Sequence, residues 1–107
     1  MRELTPLELM DYLASADHPP PLLLDVREPA EFDICHIEGS RLMPMGEVAA
    51  RMADLPRDQP IIVICHHGMR SYSIARYLEQ QGFGPMLNLS GGLDAWSRKV
   101  DLDMPTY

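Results

Sequence analysis

The residues best suited to chemistry stand together in one stretch, Cys65-His66-His67-Gly68-Met69-Arg70-Ser71. A cysteine acts on electrophiles as its thiolate, so its surroundings decide whether it reacts. Cys65 directly follows Ile61-Ile62-Val63-Ile64, an uncharged β-branched run that reads as a buried strand, and precedes a segment with helical periodicity. Loop amides between a strand end and a helix start can converge on one point, and the helix adds its partial positive end. Gly68 supplies the conformational freedom a tight cradle needs. The Cys65 pKa is therefore expected to be lowered, making Cys65 the candidate nucleophile. The competing reading is an inert cysteine closing an apolar strand, and the Gly, His and Arg that follow argue against it.

Charge is distributed unevenly around this stretch. The 107 residues carry 9 Lys and Arg against 16 Asp and Glu, a net charge of −7. Residues 1–60 hold all of that excess, whereas residues 61–107 balance four basic against four acidic residues. From His66 to Arg76 there are two Arg, two His and no acid, as suits a site for an anion or thiolate. So acidic a chain does not wrap nucleic acid or an anionic membrane by charge. Its longest strongly apolar run ends at Cys65 and is far short of a membrane span. Met1 to Pro6 lacks the apolar segment of a secretory signal, and two cysteines do not make a disulfide scaffold. The expectation is one soluble, cytoplasmic domain over residues 1–107.

The elements that must position Cys65 follow from local pattern. Thr5-Pro6-Leu7-Glu8 reads as a capping box opening a helix with Leu9, Met10 and Leu13 as its apolar stripe. His18-Pro19-Pro20-Pro21 forces an extended connection. Leu22 to Val26 is a buried strand, Pro29 to Phe32 a short helix, and Arg41 to Met43 a brief strand stopped by Pro44. Gly46 to Leu55 and Ser71 to Gln81 are expected helices, the second with Ile74, Ala75 and Leu78 on one face and Gly82 past its end. Met86 to Leu89 is another strand, and Gly91-Gly92 opens a last helix carrying Leu93, Ala95 and Trp96. Trp96 and Phe32 are expected core anchors, Tyr72 and Tyr77 packing residues, and the eight methionines core filler. Strands alternating with helices imply a parallel α/β sheet covered on both faces, with its site beyond the carboxyl ends of the strands.

Four motifs in order resemble those of rhodanese-type sulfurtransferases: Asp25-Val26-Arg27-Glu28-Pro29-Ala30-Glu31-Phe32, then His36-Ile37-Glu38-Gly39-Ser40 with Pro44, then Cys65 to Ser71, then Leu89-Ser90-Gly91-Gly92-Leu93-Asp94-Ala95-Trp96. The resemblance implies a rhodanese fold, a five-stranded mainly parallel sheet flanked by helices, with Arg2-Glu3-Leu4 as its first short strand. It also implies a two-step reaction in which Cys65 takes sulfur from a donor such as thiosulfate, holds it as a persulfide, and yields it to cyanide, a thiol or a protein. The partners implied are a small anionic sulfur donor and a protein donor or acceptor, with no metal or organic cofactor. By the same resemblance, the amides of His66, His67 and Met69 bind the sulfur while their side chains face the entrance, and Gly68 lines the substrate site with them. Arg70 attracts the donor or braces the loop, and Ser71 caps the following helix. Asp25 and Arg27 hold the site together. A histidine here could act as a general base, although the persulfide route does not require one.

Two other readings stand beside this one. Cysteine phosphatases and arsenate reductases use a similar cradle but typically place five residues between Cys and Arg, where this chain has four. A non-catalytic rhodanese module that binds a partner or senses redox state commonly lacks the cysteine that is present here. The sequence also departs from the family pattern at Cys35, where glycine is usual before the His-Ile pair. Cys35 is expected to be a free buried cysteine, with a resolving or persulfide-accepting thiol, or a chance neighbour of the surface, as the alternatives. A zinc site from Cys35, His36, Cys65 and His66 or His67 is disfavoured, because adjacent Cys-His pairs lack the usual ligand spacing.

Overall fold

The computed structural model describes residues 1–107. Five strands, β1 (Arg2–Leu4), β2 (Leu22–Asp25), β3 (Arg41–Leu42), β4 (Ile61–Ile64) and β5 (Met86–Leu89), form one sheet in the order β1-β5-β4-β2-β3. Every pairing is parallel, including the edge strand β1 against β5. The helices are α1 (Pro6–Ala14), α2 (Pro29–Ile34), α3 (Val48–Arg51), α4 (Met69–Gln80) and α5 (Gly92–Lys99).

Alternation along the strands divides the interior into two cores. Leu24, Ile61, Val63 and Met86 face Val48, Ile74, Ala75 and Leu78, so α3 and α4 cover one side. Leu4, Leu23, Ile62, Ile64 and Leu87 face Leu9, Leu93 and Trp96, so α1 and α5 cover the other. Burial on both faces explains why β4 reads as a continuous apolar run, and all four of its residues are buried. The chain runs outward from β2 to β3 on one side and from β4 to β5 on the other. The crevice between the carboxyl ends of β2 and β4 is therefore where a site is expected.

Several local expectations are met and several are revised. The Thr5–Glu8 capping box forms, with Thr5 N donating to Glu8 Oε1 at 2.9 Å and Glu8 N to Thr5 Oγ1 at 3.2 Å. Of the expected stripe on α1 only Leu9 is buried, because the helix covers the sheet margin with a narrow contact that leaves Met10 and Leu13 exposed. The segment expected as one helix over Gly46–Leu55 is a single α-turn, α3, between 3-10 turns at Met45–Glu47 and Met52–Asp54. Pro44 and Pro56 bound it, and the tighter turns let both Val48 and Leu55 reach the core. Phe32 is only half-buried and stacks on His36 at 3.9 Å, and Tyr72 is exposed. Trp96 is buried as expected; among the methionines Met43, Met86 and Met104 are buried, but Met10, Met45 and Met69 are exposed.

Candidate active site

Cys65 is 1% exposed at the carboxyl end of β4, and three polar groups surround its sulfur. The amides of Gly68 and Ser71 donate to Sγ at 3.1 and 3.3 Å, and Ser71 Oγ lies 3.2 Å away. Helix α4 begins at Met69, two residues before the expected start, with Gly68 as its N-cap at φ +93°. Ser71 therefore does not cap the helix. It sits in the first turn, fully buried, with both its amide and its hydroxyl turned to the sulfur. The positive φ at Gly68 permits this, since it closes the loop in time for the first helical turn to wrap the sulfur.

Neighbouring elements clamp the loop. Leu93 N donates to the Cys65 carbonyl at 2.9 Å and Asp94 N to the His66 carbonyl at 3.0 Å, so the start of α5 takes up the loop's outward carbonyls. Gly92 is needed for this approach, because a Cβ there would collide with the Cys65 and His66 carbonyls. On the other side, Asn88 Nδ2 donates to the Gly68 carbonyl at 3.1 Å and to Glu3 Oε1 at 2.9 Å.

Arg70 forms a two-pronged pair with Glu31, at 2.7 and 3.0 Å. Hydrogen bonds from Arg70 hold the Glu31 carboxyl down at about 2, well below the usual carboxylate range. The same pairing, with a smaller contribution from Cys65, raises Arg70. Arg27 is fully buried and pairs with Asp25, Nε to Oδ1 at 2.9 Å and Nη2 to Oδ2 at 2.8 Å. Burial opposes the Arg27 charge, but hydrogen bonds to Asp25 and Tyr107 more than offset it and raise the group above its ordinary value. Arg27 Nη2 also donates to the Cys35 carbonyl at 2.6 Å. Cys35 is buried and free, as is Cys65.

The loop side chains separate. Met69 is 78% exposed and His67 lies at the surface, 3.8 Å from Asp94. His66 does not share that outward position. Its ring packs on Tyr107 at 4.2 Å, and its buried Nδ1 has no hydrogen-bond partner. Burial, with the nearby His67 charge, lowers the His66 pKa. Cys65, Gly68 and Ser71 thus meet at the sulfur, Arg70 ties the loop to α2 through Glu31, and Arg27 hydrogen-bonds to Asp25, Glu31, Cys35 and Tyr107, none of them in the loop. The amides of His66, His67 and Met69, expected at the sulfur, make no hydrogen bond to it, because the positive φ at Gly68 turns the first turn of α4 onto the sulfur instead.

Three contributors escaped the sequence reading. Asn88 carried a signal, being the one polar residue in an otherwise apolar strand. Glu31 reads as a helix-start acid, a role it also fills by accepting from Glu28 N at 3.0 Å. Tyr107 carried none.

Residues 5–99 match the Rhodanese-like domain family. A sulfurtransferase of Allochromatium vinosum is 42% identical over 83 residues, covering 78% of each chain. The thiosulfate sulfurtransferase GlpE of Pseudoalteromonas translucida is 38% identical, over 75% of this chain and 80% of its own length. A probable adenylyltransferase/sulfurtransferase MoeZ of Mycobacterium tuberculosis is 36% identical over 97% of this chain, which spans 26% of that longer protein. Among solved structures, SSP1007 of Staphylococcus saprophyticus superposes with a TM-score of 0.84 at 28% identity, over 94% of this chain and 97% of its own. With its all-parallel sheet and a cysteine loop closing on one sulfur, the chain belongs to the rhodanese-like family.

Proposed function

We propose that the protein is a sulfurtransferase that carries sulfane sulfur as a persulfide on Cys65. The observation that carries this reading is the convergence of the Gly68 amide, the Ser71 amide and the Ser71 hydroxyl on one sulfur atom at the start of α4. In the first step the Cys65 thiolate attacks the outer sulfur of thiosulfate. A new S–S bond forms, the donor's S–S bond breaks, and sulfite leaves with the electron pair. In the second step a thiophile such as cyanide attacks the terminal sulfur, thiocyanate departs, and the Cys65 thiolate returns. No net redox partner is needed, because the cysteine carries the covalent intermediate.

The donors around the sulfur hold the anionic Cys65 that begins the first step and is regenerated in the second, when charge returns to Sγ, and they are fixed before reaction begins. A loop of four residues between Cys65 and Arg70 suits one sulfur atom better than a tetrahedral oxyanion. Gly68, Met69, His66 and His67 shape the loop, Arg70 braces it and faces the anionic donor, and Asp25 with Arg27 supports it through Tyr107 and Glu31. The acceptor in the cell is a small thiol or a protein. The protein acts in the cytoplasm, in keeping with an acidic chain in which no helix is long and apolar enough to cross a membrane.

Intact-protein mass spectrometry after incubation with thiosulfate tests the reading. The wild type should gain one sulfur atom, released by cyanide as thiocyanate, and Cys65→Ser should gain none. Equal loading of Cys65→Ser, or no loading of the wild type by thiosulfate or by a protein persulfide, overturns it.

A further inference from the structure

Tyr107 lies outside the residues that match the family, yet its hydroxyl joins the two ion pairs of the site. It donates to Glu31 Oε2 at 2.8 Å and accepts from Arg27 Nη1 at 2.9 Å. Asp25, Arg27, Tyr107, Glu31 and Arg70 thereby form one continuous chain of hydrogen bonds. One end of it lies in the interior, since the Asp25 and Arg27 side chains are 0% exposed. The other end, the Arg70 side chain, is 36% exposed.

Glu31 is the joint. Its Oε1 accepts from Arg70 and from the Glu28 amide, and its Oε2 from Arg70 and Tyr107. The Glu28 amide belongs to the start of the same short helix, so Tyr107 is the group that ties the Glu31 side chain to the buried interior. We propose that Tyr107 is a positioning residue that acts through Glu31 to fix the Arg70 guanidinium where an anionic sulfur donor approaches Cys65. This rests on Cys65 being the site of sulfur loading. The donors to the sulfur itself, on Gly68 and Ser71, make no bond to Tyr107. Loss of the hydroxyl should therefore weaken the hold on the anion without disturbing the sulfur chemistry.

Tyr107→Phe isolates this effect, because it keeps the ring that packs on His66 and removes only the hydroxyl. With thiosulfate and cyanide, KM for thiosulfate should rise about fivefold while kcat stays within about twofold, the pattern of lost uniform binding. A second readout needs no sulfur transfer: the rates at which iodoacetate, an anion, and iodoacetamide, its neutral analogue, alkylate Cys65, followed by peptide mass. Their ratio should fall about threefold in Tyr107→Phe, as expected when one charge near an anion is displaced. In a Glu31→Ala background the Tyr107→Phe change should have no further effect on the ratio, since coupled residues are not additive.

A residue that only braces the fold would lower Tm and leave KM and the alkylation ratio unchanged; that result overturns the proposal. An equal effect of Tyr107→Phe with and without Glu31 also overturns it. If the wild type takes no sulfur from thiosulfate or from a protein persulfide, the functional reading is what fails, and the alkylation ratio still decides the role of Tyr107.

Discussion

Arg70 and Glu31, 39 residues apart, meet through two parallel hydrogen bonds, Nη1 to Oε1 at 2.7 Å and Nη2 to Oε2 at 3.0 Å. The loop cation is thus held by a carboxylate from α2, and its geometry depends on the planar fork of the guanidinium. Lysine keeps the charge and loses the fork. Arg70→Lys is expected to lower the rate of sulfur loading about tenfold, and Arg70→Ala only a few-fold further, because position matters more than charge at a two-pronged pair. Persulfide formation followed by mass against time checks this. Near-normal loading in Arg70→Lys would show that charge alone suffices.

The same pair sets an acid limit. The Glu31 carboxyl falls from 4.5 to about 2 in the folded protein. A depressed carboxyl contributes stability that is complete above its unfolded pKa and is lost as pH falls through its folded value. The stability difference between the wild type and Glu31→Gln should therefore be constant near neutral pH and shrink as pH drops from 4.5 towards 2. Tyr107 acts at the opposite extreme. Burial, with Glu31 beside it, pushes its phenol from 10.0 up to about 12. That contribution is complete below 10 and disappears as pH rises through about 12. Urea denaturation across pH measures both windows, and a difference that persists unchanged to pH 2 would contradict the Glu31 assignment.

These two predictions concern contacts of different legibility. The strands were readable because burial on both faces removes the polar alternation, so β2, β4 and β5 stand out as apolar runs. The cysteine loop was readable because its residues are contiguous. The start of α4 lies two residues before the one the sequence suggests, because a serine is a common cap whereas here the positive φ of Gly68 sets the boundary and frees Ser71 to face the sulfur. Tyr107 was invisible because its partners, Arg27 and Glu31, lie 80 and 76 residues away and no local pattern reports such a contact.

Ser71 offers a test in which the two assignments part company. As a helix cap, its replacement by alanine would destabilise the protein by about 1 kcal/mol. As a hydroxyl turned to the Cys65 sulfur, its removal should leave the start of α4 intact and slow sulfur loading about tenfold, by loss of one fixed donor to the attacking anionic sulfur. The backbone amide of Ser71 remains at 3.3 Å from the sulfur in either case, so loading should not vanish. Tm and loading rate for Ser71→Ala, measured on the same preparation, separate the two: a large Tm loss with normal loading would restore the capping role.

Asp25 and Arg27 meet out of solvent, and their energetics are those of a buried pair. The guanidinium is without solvent, and its partners are the Asp25 carboxylate, the carbonyls of Glu31 and Cys35, and the Tyr107 hydroxyl. Asp25 alone neutralises it. Asp25→Asn preserves shape and removes the counter-charge, which should destabilise the fold by about 3–5 kcal/mol, because a buried cation is left uncompensated. Replacing both residues together, Asp25→Leu with Arg27→Met, removes the stranded charge and should be less damaging than Asp25→Asn alone. It should nevertheless leave Glu31 without its link through Tyr107 to the interior, so the double variant should regain stability in urea denaturation while still loading sulfur poorly. Recovery of both properties together would show that the ion pair serves the fold and not the loop.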